Sequence, residues 1–222
     1  MAISRFMNAI AASAFALALV ATPARATDET PEARLTAATA AEAAIEDMRA
    51  TFGKDSLKNG QFVWREADAK AEVTRVVISL ADQMAYAYSD DRLVAVSTIS
   101  SGTESKPTPP GIFPILDKKR FHRSIKYDNA PMPYMQRLDQ YGIALHGGHL
   151  PGHPASHGCV RLPAAFAAKL FAATRIGTPV LIAPESLGGD GEAATLAQAD
   201  EQPGEPGEAL DAELAAAFDS TL

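Results

Sequence analysis

The 222-residue sequence contains a single cysteine, Cys159, and therefore cannot form an intramolecular disulfide. Basic residues are also few, since 20 lysines and arginines stand against 27 acidic residues, for a formal net charge of −7. An acidic chain of this kind lacks the excess of positive charge that favours binding to nucleic acid or to an anionic membrane surface. The sequence has no internal repeat, which excludes a repeat architecture.

The N-terminal region lacks the roughly 20 consecutive apolar residues that a membrane-spanning helix needs. Arg5 precedes an uncharged, mostly apolar run over residues 9–20, and Ala24-Arg25-Ala26 follows. This pattern predicts a secretory signal peptide over residues 1–26, cleaved after Ala26. The alternative is an uncleaved membrane anchor. Cleavage removes two arginines and no acidic residue, which leaves a charge of 18 − 27 = −9.

Two segments flank the predicted folded domain. Residues 27–60 are rich in alanine and charge, with Leu35, Ile45, Met48 and Phe52 interspersed, and predict an amphipathic helix ending near Gly53, followed by a polar linker. Such a helix either packs on the domain or holds it away from a surface. Residues 185–222 are acidic and contain glycine and proline, so we expect a largely disordered tail with at most a weak helix over 208–218.

The region between these segments is rich in short apolar runs. Strands are predicted at 73–80, 84–88, 93–100, 112–116, 141–146 and 178–183, and a helix at 163–174. A core of about 110 residues is an ordinary size for one domain. Many short strands with few helices predict a mostly β fold, either a curved sandwich or a partly closed barrel.

Four of the five histidines lie between His146 and Cys159, which favours a cysteine nucleophile. A cysteine attacks carbonyls as thiolate, and its ordinary pKa of about 8.5 calls for a base or cation nearby. His146 and His157 are the leading candidates for this partner. Gly158 permits a positive φ angle, and amides near Cys159 would receive an oxyanion. The carbonyl of Gly147 is placed to orient an imidazole.

Other interpretations of these residues remain open. Cys159 is either reactive or buried and inert. His149 and His153 are either solvated loop residues or metal ligands, but the spacing matches no usual zinc motif, so we predict no metal site. Ser156 either caps a turn or contacts substrate. Tyr127, Met132, Tyr134 and Met135 either pack on the domain or belong to a segment that covers the substrate. His122, within the basic run 118–123, is either part of a solvated surface or of a patch near the cleft that meets acidic groups of the substrate.

Residues 143–147 (IALHG) followed by 156–162 (SHGCVRL) resemble the signature of the L,D-transpeptidase catalytic domain, the YkuD-type family. Residues 97–102 and 108–115 resemble the upstream part of that family's pattern. The similarity covers residues 73–183 and places the catalytic domain at 61–184. The family implies a mostly β sandwich or partly closed barrel with one or two short helices, and an activity that cross-links bacterial peptidoglycan.

The resemblance also assigns residue roles. Cys159 matches the nucleophile, His146 the proton donor and acceptor, and Gly147 the residue whose carbonyl orients that histidine. Ser156, His157 and Gly158 complete the motif, with the oxyanion contact among them, and Arg161 matches a position near the substrate carboxylates. Attack on a stem tetrapeptide at diaminopimelate would release D-alanine and leave a thioester, which an acceptor amine resolves without any cofactor.

Export and this family together imply a periplasmic enzyme acting on stem peptides, with membrane contact only through an uncleaved signal peptide. The acceptor stays open between a stem peptide, a lipoprotein lysine, a D-amino acid and water. A non-catalytic wall-binding module is the third class of function. Only nine residues separate His146 from Ser156, and Arg161 stands where some members have asparagine. These departures bear on acceptor choice rather than on the reaction type.

Overall fold

The computed structural model describes residues 27–184. The predicted signal peptide and acidic tail lie outside these residues. Within 27–184, no helix combines the length and apolar character needed to cross a bilayer.

The described chain contains two α-helices and twelve strands, with a short 3₁₀ turn at Glu66–Asp68. In chain order the elements are α1 (Pro31–Phe52), β1 (Phe62–Trp64), β2 (Arg75–Ser79), β3 (Met84–Ser89), β4 (Arg92–Thr98), β5 (Gly111–Pro114), β6 (Asp117–Lys119), β7 (Arg123–Ser124), β8 (Ala130–Pro131), β9 (Met135–Arg137), β10 (Ala144–Gly147), β11 (Val160–Leu162), α2 (Ala164–Ala173) and β12 (Pro179–Ala183).

These strands form two main sheets and a separate hairpin. The large sheet has the order β1-β4-β3-β2-β12-β5, and the small sheet has the order β11-β10-β9-β6. The pairs β2–β12 and β10–β11 are parallel, and every other pair in the two sheets is antiparallel. Strands β7 and β8 form the hairpin. The predicted mostly β fold is confirmed, as a sandwich whose sheets do not close into a barrel within residues 27–184.

The large sheet is covered on both faces, which explains why its strands are apolar at nearly every position. Val76 and Ile78 of β2 belong to the core shared with the small sheet and α2, whereas Val77 packs toward α1. On β3 the alternation continues, with Ala85 on the inner face and Tyr86 on the α1 face. The period of two therefore sorts side chains between two hydrophobic layers.

Helix α1 covers the back of the large sheet and is not a spacer. Thr30 caps its N-terminus by accepting the N–H of Ala33 at 3.2 Å, and Gly53 in the left-handed conformation ends it. The buried face consists mainly of alanines, which allow close approach to the sheet. Leu35, predicted to mark the apolar face, is 57% exposed, so that part of the prediction is wrong.

The predicted strand over residues 141–146 starts later, at Ala144. Tyr141 and Gly142 lie in the loop between β9 and β10, where their backbone amides bond to the carboxylate of Asp139. Those amides are therefore not available for a sheet ladder, and the strand shortens to four residues.

Candidate active site

The parallel pair β10–β11 brings the two halves of the sequence motif together. His146 on β10 lies opposite Arg161 on β11, and Cys159 immediately precedes β11. A bridge between Ser100 and Arg161 joins this edge of the small sheet to the chain that leaves β4. Cys159 is therefore positioned where the two sheets meet, beside the end of the strand that carries His146.

The turn through residues 156–159 is tied by hydroxyl groups. Ser156 Oγ accepts the N–H of Gly158 at 3.0 Å and donates to the carbonyl of Cys159 at 2.5 Å. Thr108 Oγ1 donates to the carbonyl of Gly158 at 2.9 Å. Gly158 has φ +110°, the positive value that the sequence predicted for it. Ser156 thus caps the turn, and it is only 2% exposed.

The oxyanion contact expected in this turn stays a prediction. The backbone N–H of Gly158 is held by Ser156 Oγ, so this amide does not point freely at a substrate oxygen. An oxyanion contact from Gly158 would require that hydrogen bond to break, which makes other amides near the sulfur better donors.

His146 is buried, with 7% of its surface exposed. Its Nδ1 lies 2.8 Å from the carbonyl oxygen of Gly147. Because a carbonyl only accepts, Nδ1 carries the proton and Nε2 keeps a free lone pair. Burial lowers the pKa of His146 to about 4, against the opposing hydrogen bond to Gly147 and with help from the charge of Arg161. The ring is therefore neutral at neutral pH.

Cys159 is half-buried and rests as a thiol. Burial raises its pKa, the backbone N–H of Ala144 lowers it, the charge of Asp139 raises it and that of Arg161 lowers it. Its Sγ donates to the carbonyl of Gly142 at 3.4 Å. At rest the site therefore holds a thiol and a neutral imidazole, since burial favours the neutral form of both groups.

Two cavities reach the sulfur of Cys159. The first, about 530 Å³, is also lined by His146, His149 and Arg161, and we call it the histidine-side cavity. The second, about 440 Å³, contains Lys119, His122, Lys126 and Arg137, and we call it the basic-side cavity. The walls that both share are Ser124, Tyr127, Met132, Gly142, His157 and Cys159.

An aromatic stack lies across the site. The rings of Tyr127 and His157 are 4.3 Å apart at their centroids and 9° from parallel. Tyr127 belongs to the connection between β7 and β8, so the stack joins that hairpin to the turn that carries Cys159. His157 is exposed, and its ring packs on tyrosine rather than being buried against the sulfur. Of the two predicted bases, His146 is the one whose lone pair is oriented by a second group.

The remaining histidines are dispersed. His149 is exposed on the rim of the histidine-side cavity, and His153 is exposed in the following loop. Within residues 27–184, no group of three or more histidine, cysteine or acidic side chains is arranged to hold a metal ion. His122 lines the basic-side cavity, where burial lowers its pKa and the charge of Lys119 lowers it further.

Sequence reasoning missed the residues that support the sulfur. Gly142 and Ala144 contact it through backbone groups, and Asp139 holds the loop that contains Gly142. An Asp followed closely by a Gly is typical of a side chain that bonds backbone amides ahead of it, and this signal was present at residues 139–142.

Comparison with known protein families matches the part of the chain that contains His146 and Cys159. The family model of the L,D-transpeptidase catalytic domain, YkuD, matches residues 73–182. A search of curated proteins returns no match. The chain covers between half and three fifths of the length of the solved structures described next.

Three of these structures are L,D-transpeptidases. One is from Mycobacterium tuberculosis, with 23% identity over 49% of this chain and 57% of that one, at a TM-score of 0.47. Another is from Mycobacterium smegmatis, with 20% identity over 51% and 59%, at a TM-score of 0.48. The third is from Stackebrandtia nassauensis, with 26% identity over 52% and 58%, at a TM-score of 0.47.

Proposed function

Residues 73–182 belong to the L,D-transpeptidase catalytic domain family, and from that premise we propose that this chain transfers acyl groups between peptidoglycan stem peptides through a thioester on Cys159. The observation that carries the proposal is the shared cavity of Cys159 and His146. Because Nδ1 of His146 bonds to Gly147, its Nε2 is left to accept a proton. A thiol beside an oriented, neutral base is the arrangement that nucleophilic catalysis requires.

Acylation begins from the neutral pair. As Sγ attacks the carbonyl of diaminopimelate in the donor tetrapeptide, Nε2 of His146 takes the thiol proton. The C–S bond forms and an oxyanion develops on the carbonyl oxygen. The C–N bond to D-alanine then breaks, and His146 returns the proton to the leaving amine. Proton transfer during attack avoids a buried charge on the sulfur before substrate arrives.

Deacylation repeats the sequence with a new nucleophile. The amine of an acceptor stem peptide attacks the thioester while His146 takes its proton. The C–S bond breaks, and the sulfur leaves with the proton that His146 returns. Water in place of the amine yields a shortened tripeptide, and a lipoprotein lysine in the same place yields an anchored protein. The chemistry at Cys159 is the same in each case.

The two cavities support a reaction with two substrates. The sulfur is reached from the histidine-side cavity and from the basic-side cavity, so a donor held as thioester in one leaves the other open to an acceptor. Arg161 lines the histidine-side cavity, where its charge suits a donor carboxylate. Lys119, Lys126 and Arg137 outnumber Asp117 in the lining of the basic-side cavity, so its wall also carries positive charge.

We propose that the chain works in the periplasm after removal of residues 1–26. The support is the sequence pattern of Arg5, an apolar run and Ala24-Arg25-Ala26. Expression of the full chain with fractionation, followed by N-terminal sequencing of the exported product, tests this. A product starting at Thr27 agrees, and a full-length membrane-bound product contradicts it.

The reaction is tested by incubating the purified protein with a tetrapeptide muropeptide and separating the products. A cross-linked dimer with release of D-alanine is the expected outcome, and a tripeptide product identifies water as acceptor. Cys159→Ala is the matched control and forms neither. Binding to peptidoglycan without any product from the unmodified protein would favour the wall-binding module instead.

A further inference from the structure

The loop between β9 and β10 is held together by one carboxylate. Asp139 is 3% exposed. Its Oδ1 accepts three backbone N–H groups at 2.8 to 2.9 Å, those of Tyr141, Gly142 and Ile143. The N–H of Leu138 donates to the carbonyl of Ile143 at 2.8 Å and closes the loop. Bonds from amides to a charged acceptor are strong and directional, so Asp139 orients three consecutive peptide groups.

One of these peptide groups also contacts the sulfur. The carbonyl of Gly142 accepts from Sγ of Cys159 at 3.4 Å, and the N–H of the same peptide unit, that of Ile143, donates to Asp139. A trans peptide is planar, with its N–H and its carbonyl pointing in opposite directions. The carboxylate that binds the N–H at one edge of this peptide unit therefore sets the direction of the carbonyl at the opposite edge, which the thiol contacts.

A second backbone contact to the sulfur comes from the next residues. The N–H of Ala144, the first residue of β10, donates to Cys159. Ala144 directly follows the loop that Asp139 holds, so its position depends on the same hydrogen bonds. Gly142 adopts φ +103°, which a residue with a side chain rarely does, and so contributes the turn that brings its carbonyl to the sulfur.

We propose that Asp139 is a positioning residue for the nucleophile. Through the Gly142 carbonyl and the Ala144 amide it fixes the position of the Cys159 sulfur in the cavity that His146 also lines, and the thiol turns from Gly142 to His146 when the sulfur attacks. The inference rests on the proposed function, because it requires Cys159 to be the nucleophile. The alternative is that Asp139 serves only to stabilise the fold.

Two substitutions separate the geometry of Asp139 from its charge. Asp139→Asn keeps an oxygen that accepts amide hydrogens and removes the charge, whereas Asp139→Ala removes both. The matched control is Asp68→Asn, because Asp68 is also buried, at 4% exposure, and pairs with Arg65 and Arg92 outside both cavities. A role in stability alone predicts that all three variants change the thermal midpoint and leave kcat per folded molecule unchanged.

The first readout is the rate of Cys159 alkylation by iodoacetamide as a function of pH. Asp139→Asn is expected to move the midpoint to lower pH, because the negative charge beside the sulfur disfavours thiolate. Asp68→Asn is expected to leave the midpoint unchanged. The other charged or titratable groups around the sulfur are common to all variants, namely Asp117, Lys119, His122, Lys126, Tyr127, Arg137, Tyr141, His146, His149, His157 and Arg161.

The second readout is steady-state transfer. Asp139→Ala is expected to lower kcat by about 10- to 100-fold, the cost typical of a displaced reacting group, with a smaller change in KM. Gly142→Ala tests the same loop independently, since an added Cβ meets no atom within 4 Å while φ +103° is disfavoured for alanine. It should lower kcat in the same way if Asp139→Ala does not fold.

An alkylation profile of Asp139→Asn identical to that of the unmodified protein, together with unchanged kcat in Asp139→Ala or Gly142→Ala, overturns the inference. Alkylation does not depend on peptide transfer. A shifted alkylation profile in a protein that transfers no peptide would contradict the proposed function and with it the positioning role, and would leave only the effect of the Asp139 charge on the thiol.

Discussion

The large and small sheets are stabilised in different ways. In the large sheet, Val76, Val77, Ile78 and Tyr86 are each at most 1% exposed, because α1 covers one face and the small sheet covers the other. Its central strands have five to seven residues and pair over most of their length. Burial of apolar side chains is the dominant stabilising term in such a layer.

The small sheet has strands of only three or four residues, and polar side chains complete its structure. Asp139 holds the loop before β10, and Ser156 and Thr108 hold the turn before β11. Lys118 Nζ donates to the carbonyls of Phe171 and Thr174 at 2.6 Å each, at the end of α2.

The large sheet is therefore stabilised by its pattern of apolar residues. In the small sheet, hydrogen bonds from side chains to the backbone position the residues around Cys159. Changes in the large sheet should therefore alter stability, and changes in the small sheet should alter reactivity. The following substitutions test that separation.

The largest effect is expected from His146→Asn in the small sheet. The asparagine amide still donates to Gly147, but it lacks the lone pair of Nε2. A general base contributes about 10²- to 10⁴-fold to rate, so kcat/KM should fall by that factor. Stopped assays with the tetrapeptide donor measure this. A variant that retains full activity would remove His146 from the mechanism.

Ile78→Ala in the large sheet should do the reverse. Ile78 is fully buried in the core between the sheets, and truncating it should lower the free energy of unfolding by about 2–5 kcal/mol. Denaturant unfolding measures the loss, and activity per folded molecule should not change. Leu35→Ala is the matched control, because that side chain is 57% exposed and should cost less than about 0.5 kcal/mol. A loss of activity in fully folded Ile78→Ala would contradict the proposal that the large sheet affects stability alone.

Acid sensitivity should mark the small sheet as well. His146 has a pKa of about 4 when folded, against 6.5 ordinarily, so the unfolded chain binds more protons between these values. Stability therefore rises with pH across this window and falls on acidification from pH 6.5 to 4. The shift corresponds to about 3 kcal/mol. Unfolding curves at both pH values should show this part of the loss in the unmodified protein and not in His146→Asn.

A smaller effect is expected from Tyr127→Ala. Removing the stack on His157 frees the β7–β8 hairpin from the turn that carries Cys159, and such a stack contributes about 0.5–1.5 kcal/mol. KM for the donor should rise several-fold on that estimate, with a lesser change in kcat. Tyr127→Phe keeps the ring and should behave as the unmodified protein. Equal KM values in all three proteins would mean that the stack does not shape the substrate site.

The same contrast explains what the sequence could predict. The strands predicted at 84–88, 93–100 and 178–183 were found because each is a short run of apolar residues, which is the pattern of a buried strand. The contact of His146 with the Gly147 carbonyl is local and could also be anticipated. Strand β11 was not predicted, since three residues are too few to show a period.

The protonation state of the site could not be predicted because it depends on burial in three dimensions. The sequence places a cysteine among histidines, which favours formation of a thiolate. The fold buries His146 and partly buries Cys159, and burial favours the neutral form of both groups. The part played by Asp139 was missed for another reason, although Asp139 and Gly142 carry a local turn signal. Its bonds run to three consecutive amides, an arrangement that leaves no periodic pattern in the sequence.

Intact-protein mass spectrometry after brief mixing with a tetrapeptide donor tests the central claim most directly. The account predicts a covalent adduct with the mass of the donor acyl group without D-alanine, located on Cys159 by peptide mapping, formed slowly in His146→Asn and absent in Cys159→Ala. Transfer products that accumulate without any adduct on Cys159, or that persist in Cys159→Ala, would contradict it.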